Sequence, residues 1–298
     1  MSGQSVVLYR LYFAPKAVLQ RVMARWPWTR RPIERAKRWL KRFLLSEGRR
    51  LVRVRVGLSA GLLMHLQFPA EAGVWRGEHE PLVQKAIEAV VQSGWVVFDV
   101  GSYIGSLALG AARLVGETGC VVAFDGDPVN AVRLREHATI NHFERTMQVV
   151  PAAVWSHSAP DGLTFRCGSR MRSQGGVEAE AYRPLLGDGE LIRVPAVSLD
   201  DFVLSSGLRP RLIKVDVEGG EAQVLRGAAA LLANDRPLLI VEIHTPQALE
   251  EVRRCLVQHD YRVHEVVLYD PVPVSLFAWP GECEPEGWWF LTVKPDLS

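Results

Sequence analysis

From residue 95 onward the chain alternates short, continuously apolar runs with amphipathic stretches, and this rhythm constrains the fold more than any other feature. The apolar runs span residues 95–100, 120–124, 147–154, 212–217, 237–243, 261–268 and 288–293. Between them, residues 104–115, 128–141, 221–233 and 249–258 carry apolar side chains at helical spacing. A strand that is apolar on both faces needs cover on both faces, which predicts a parallel sheet between helical layers. The last two runs leave no room for a crossover helix, because residues 270–287 are rich in Pro and Gly. They are expected to pair antiparallel, giving a seven-stranded, mostly parallel sheet with an edge hairpin. Residues 156–190 interrupt the rhythm with Gly, Ser and Arg and read as a long loop of the functional kind.

The stretch before this region differs in charge. Residues 1–55 hold 15 Lys and Arg against two acids, Glu34 and Glu47, so the remainder of this +2 chain carries a net −11. A basic arm on an acidic body predicts a separate unit with its own partner. Ile33, Ala36, Leu40, Phe43 and Leu44 form a helical apolar stripe among Arg and Lys. Such a helix either packs on the body or lies on an anionic membrane surface at the inner face. The sequence therefore divides into a basic helical arm (1–55), lead-in strands and a helix (56–92), and a main domain (93–298). Residues 51–56 and 62–68 read as the strands and 81–91 as the helix.

Length and composition set outer bounds. At 298 residues with 48% hydrophobic and 23% charged residues, the chain can bury a core and is neither disordered nor a disulfide scaffold. No run approaches the length of a membrane span, and Arg10 splits the apolar stretch 6–14 that a secretory signal would need. Cys120, Cys167, Cys255 and Cys283 lack metal-binding spacing and read as reduced thiols, which fits a cytoplasmic protein.

In a doubly wound sheet, ligands bind at the carboxyl ends of the strands. Four such ends carry polar groups: Asp99, Asp125, Asp216 with Glu218, and Glu242 with His244. The first continues as Gly101-Ser102-Tyr103-Ile104-Gly105, which lacks the glycine pattern of a pyrophosphate turn. An acid at that strand tip suits a cationic group, such as the ammonium of S-adenosylmethionine, better than a phosphate. Gly101 permits close backbone approach and Gly105 close helix packing. Asp125 is placed to accept from ribose hydroxyls, whereas Asp127 before Pro128 reads as an N-cap.

Five segments together resemble the FkbM family of S-adenosylmethionine-dependent methyltransferases. They are Gly77-x-x-Glu80, Phe98-Asp-Val-Gly-x-x-x-Gly105, Leu199-Asp200-Asp201, Ile213-Lys-Val-Asp-Val-Glu-Gly219 and Val241-Glu-Ile-His244. The resemblance covers roughly residues 73–294. It implies a class I, Rossmann-like methyltransferase fold and methyl transfer, usually to a hydroxyl of a sugar, polyketide or related small molecule. It also implies S-adenosylmethionine bound by Asp99, Gly101, Ser102, Gly105, Asp125 and Ala153. Ser102-Tyr103 and Asp125-Gly126 replace the Ala-Asn and Glu-Pro usual in that family.

A hydroxyl acceptor must lose its proton, and His244, Asp216 and Glu242 are the candidates beside the transferred methyl. His244 is either the base or a histidine satisfied at a strand end. No metal is expected, although the same O/O/N set is compatible with Mg or Mn. Glu80 either begins its helix or joins the site. Nucleic acid is not the expected acceptor, because no aromatic follows Asp216 to stack a base. The competing readings are a nucleotide-dependent oxidoreductase and a non-catalytic module with Tyr103 filling the cofactor pocket.

Overall fold

The computed structural model describes residues 48–168, 175–178, 188–267, 273–281, 285 and 288. The helix expected at 33–44 and the arginines of the expected loop, Arg170 and Arg172, lie outside them. The chain divides into two compact units: residues 51–65 with 73–298, and residues 1–50 with 66–72.

Strands β1 (Gly48–Arg53) and β2 (Leu63–Phe68) come first, followed by helices α1 (Ala72–Arg76) and α2 (Pro81–Val90). Then β3 (Val96–Val100), α3 (Ser106–Val115), β4 (Cys120–Phe124), α4 (Pro128–Ile140) and β5 (Met147–Val150) alternate as the sequence predicts. Asp127 caps α4, its side chain accepting from Val129 N–H, with Pro128 where a missing N–H costs nothing. After an intervening sheet come α5 (Leu199–Ser206), β10 (Leu212–Val215), α6 (Glu221–Arg226), α7 (Ala229–Asn234) and β11 (Leu238–Ile243). Then follow α8 (Pro246–Gln258), β12 (Tyr261–Val267) and β13 (Val274–Pro280).

Among the described residues the main sheet has seven strands in the order β12-β13-β11-β10-β3-β4-β5. All neighbours from β11 to β5 run parallel, while β13 runs antiparallel to both β11 and β12. This is the class I methyltransferase arrangement of a Rossmann-like sheet. The order reverses at β3, so β3 and β10 lie side by side at the switch point where ligands bind. Beneath it, Phe98, Phe124 and Phe202 meet edge-on with ring centroids 5.0 to 5.5 Å apart.

Three expectations change. Strand β13 at Val274–Pro280 lies inside the stretch read as a Pro- and Gly-rich connection. Of the expected strand 288–293 only Trp288 is described. Its ring is fully buried against Phe277 and Trp279, and its indole N–H donates to the Ala86 carbonyl at 3.1 Å. The long loop instead supplies strands. Strands β6 (Ala153–Val154), β7 (Ala159–Arg166), β8 (Gly176–Val177) and β9 (Leu191–Val197) form a second sheet of order β6-β9-β7-β8. The expected strand 147–154 accordingly splits between the two sheets. Finally, the helix expected at 221–233 breaks in two, because the Asp200 carboxylate accepts from Ala230 and Leu231 N–H, both at 2.9 Å, and starts α7 afresh.

Candidate active site

A cavity of about 210 Å³ opens over the carboxyl ends of β3, β4, β10 and β11. One side of it belongs to β3 and β4. Gly101 and Ser102 N–H both donate to the Phe124 carbonyl, at 3.0 and 2.9 Å, which folds the loop after β3 back across β4. Gly101 has φ of +77°, and a Cβ there would collide with the Asp216 carbonyl oxygen. Only glycine allows the tips of β3 and β10 to approach this closely.

Of the expected cofactor residues, Asp99, Gly101, Ser102, Asp125 and Ala153 line the cavity. Gly105 does not: it precedes α3 with φ of +84°, and its bare Cα faces the Leu134 side chain. Asp99 is 3% exposed, and neither of its carboxylate oxygens accepts a hydrogen bond from the described residues. Burial raises its pKa, against the pull of the Lys214 ammonium 3.7 Å away. Ser102 spends its hydroxyl on the loop itself, donating to the Asp99 carbonyl at 2.7 Å. Asp125 accepts from Tyr103 N–H and Asp127 N–H, both at 2.8 Å. Burial pushes its pKa up to about 7 despite those bonds. Tyr103, at φ of +51°, lines the cavity.

The opposite side is a wall of acids. Glu80, Asp216 and Glu242 each bring an oxygen within 4.8 Å of the others, and Asp216, Glu218 and His244 do the same. Like charges so close cannot all persist, and burial first, then the neighbouring acids, raise Glu242 to about 8. Glu218 rises to about 7, chiefly through burial. Glu80 is raised by burial as well, and its Oε2 has no hydrogen-bond partner among the described residues. Asp216 moves the other way: burial would raise it, but Lys214 and His244 hold it below the usual carboxylate range.

His244 stands at the centre of this wall. Its Nδ1 is 2.7 Å from Glu221 Oε1, and its Nε2 is 3.5 Å from Asp216, 3.7 Å from Glu218 and 3.8 Å from Glu242. Burial alone would lower its pKa, but the Glu221 hydrogen bond and the surrounding acids raise it to about 10. The imidazole is therefore a cation near neutral pH. Asp216, Glu242 and His244 converge at the tips of neighbouring strands, and while it is protonated the ring has no lone pair with which to act as a base. Separations of this size also suit a divalent cation, yet here two cations of the protein itself, Lys214 and His244, sit against the acids.

Two contributors, Lys214 and Glu221, are not among the residues expected from sequence, and Glu80, for which two readings stand open, lines the cavity. Lys214 is a charged side chain inside the otherwise apolar run of β10, and that misfit was the available signal. Glu80 ends the GxxE segment and adopts φ of +49° directly before Pro81, where a non-glycine residue is strained. Glu221, fully buried at the start of α6, accepts from Gly219 N–H at 2.8 Å and also fixes His244.

The fold and the site geometry define a class I methyltransferase. The Methyltransferase FkbM domain model matches residues 99–263, more than half of the chain, and the chain belongs to the FkbM methyltransferase family. Among solved structures, the FkbM methyltransferase of Methylobacillus flagellatus KT is similar at 17% identity, over 62% of this chain and 43% of that one, with a TM-score of 0.44. This chain thus spans less than half the length of that relative. The precorrin-6y C5,15-methyltransferase of Geobacter metallireducens GS-15 matches at 15% identity, over 68% of this chain and 89% of that one, with a TM-score of 0.42. An S-adenosylmethionine-dependent O-methyltransferase of Thermotoga maritima matches at 14%, over 67% and 64%, with a TM-score of 0.40. No curated protein matches the sequence.

Proposed function

We propose that this methyltransferase uses S-adenosylmethionine to methylate a hydroxyl group on a small molecule or glycan. The observation that carries the reading is the two-sided cavity: a glycine loop with Asp99 and Asp125 on one side, Asp216, Glu242 and His244 on the other. The residues present fit the cofactor. The buried carboxylate of Asp99, beside the Lys214 ammonium at 3.7 Å, matches a second ammonium, and the Asp125 carboxylate at the end of β4 matches ribose hydroxyls. Ser102 and Ala153 line the same side.

S-Adenosylmethionine supplies a methyl group on a positively charged sulfur, an electrophile that needs no further activation. The protein has to align an acceptor oxygen with that carbon, exclude water and remove one proton. Glu242 is the group we assign to the proton. Its carboxyl borders the cavity and its pKa, raised to about 8, matches a base working near neutrality. His244 and Asp216 then fix the charge around it. The cations of the cavity, Lys214 and His244, are both taken up by its acids, so neither is held out to a phosphate, which favours a neutral, hydroxylated acceptor over nucleic acid.

The test is methyl transfer from methyl-labelled S-adenosylmethionine to a panel of sugars, oligosaccharides and hydroxylated polyketides. Label found in an alkali-stable ether supports the reading. Label only on nitrogen, carbon or nucleic acid would replace it.

A further inference from the structure

Lys214 is the one charged side chain of β10, and it is 4% exposed. Its Nζ lies 3.2 Å from Asp216 Oδ2, 3.4 Å from the Gly101 carbonyl oxygen and 3.7 Å from Asp99 Oδ1. One ammonium therefore touches the cofactor loop after β3 and the acidic wall after β10. The same two segments meet again where Gly101 leaves no room for a Cβ beside the Asp216 carbonyl.

We infer that Lys214 is a positioning residue that latches the glycine loop to Asp216 and serves as the counter-ion of the acidic wall. The inference rests on the cofactor reading for its functional consequence but on geometry alone for the latch. An ammonium buried to this degree costs heavily unless paired, and its partners here are Asp216, Asp99 and a backbone carbonyl. Charged groups face it from each neighbouring element: Asp99 on β3, Asp216 after β10, Glu242 on β11 and Glu80 ahead of α2. Asp216 in turn faces His244 and His79, with Glu218 beside His244. Together they keep Lys214 protonated, so it cannot serve as a base.

Removing the ammonium has two consequences that lost packing would not have. Gly101 loses its donor, which loosens the loop that meets the cofactor. Asp216 becomes a buried acid with one cation fewer, so its folded-state pKa rises. A carboxyl whose pKa is raised on folding contributes stability at low pH and loses it as pH rises through the new value. The Lys214→Met protein is therefore expected to be worst at high pH and to recover toward pH 5.5.

The experiment titrates S-adenosylhomocysteine into the full-length protein by calorimetry between pH 5.5 and 8, with thermal unfolding recorded alongside. Lys214→Met is expected to weaken binding about 10- to 100-fold at pH 8, the scale of a lost hydrogen bond to a charged group. That deficit should shrink on acidification. Lys214→Arg should restore most of the affinity, and adding Asp216→Asn to Lys214→Met should recover thermal stability. A Lys214→Met protein that binds like the wild type would overturn the latch. So would a deficit that is equal at every pH and unrelieved by Asp216→Asn. If Lys214→Met does not fold, Lys214→Arg and the double variant decide the matter. If the wild type itself ignores S-adenosylhomocysteine, the cofactor reading falls, and the pH dependence of unfolding still decides the latch.

Discussion

Glu221 Oε1 lies 2.7 Å from His244 Nδ1, a buried acid from α6 holding a histidine from the turn after β11. The contact fixes both the ring orientation and its charge. With Nδ1 donating to Glu221, Nε2 is turned toward Asp216, Glu218 and Glu242.

The first prediction concerns that charge. Imidazole nitrogen NMR of the wild type should show His244 protonated throughout the neutral range, consistent with a pKa near 10. Glu221→Gln should lower the pKa by about one unit or more, since it removes a charge and a charge-assisted hydrogen bond. A ring that titrates at 6 to 7 in the wild type, about its ordinary value, would contradict the geometry.

The second follows by linkage. The folded pKa of His244, about 10, stands above its unfolded value near 6.5. Its contribution to stability is thus complete below about 6.5 and is lost as pH rises through about 10. Chemical denaturation across pH 6 to 10 should show His244→Ala losing its stability deficit at the alkaline end. A constant deficit would mean that packing, not charge, sets the effect.

The third tests the ribose contact. Asp125→Ala should weaken S-adenosylhomocysteine binding by about 1–3 kcal/mol, the cost of polar contacts left unmade. Asp125→Asn keeps the shape and one acceptor oxygen, so its loss should be smaller. Equal affinities in all three proteins would remove Asp125 from the cofactor site.

The succession of parallel strands and helices, the N-cap at Asp127 and the convergence of Asp216, Glu242 and His244 were all legible in the sequence. Each rests on a local pattern: continuous apolar runs, an Asp-Pro step, acids at strand tips. What escaped depends on context. Residues 274–280 are almost wholly apolar, but flanking prolines and Gly281 gave the stretch a turn-like look, and pairing with β11 and β12 decided otherwise. Strand β7 carries Pro160, Asp161 and Gly162, so it has no clean alternation, and its pairing with β9 is irregular there. The charge of His244 depends on Glu221, 23 residues away in sequence and placed only by the packing of α6.

A fourth prediction concerns the basic arm, which we propose attaches to anionic membranes. Among the described residues no helix is long and apolar enough to cross a membrane. The full chain should co-sediment with phosphatidylserine-containing vesicles at low salt, and deletion of residues 1–47 should abolish this without changing cofactor affinity. Failure of the full chain to bind would leave the arm's charge to some other partner.

Calorimetric titration of the wild-type protein with S-adenosylmethionine, and separately with NAD, tests the central claim most directly. The two-sided cavity, with Asp99 where an ammonium belongs and no pyrophosphate turn after β3, predicts saturable one-to-one binding of S-adenosylmethionine and none of NAD. Saturable binding of NAD with no signal from S-adenosylmethionine would contradict it.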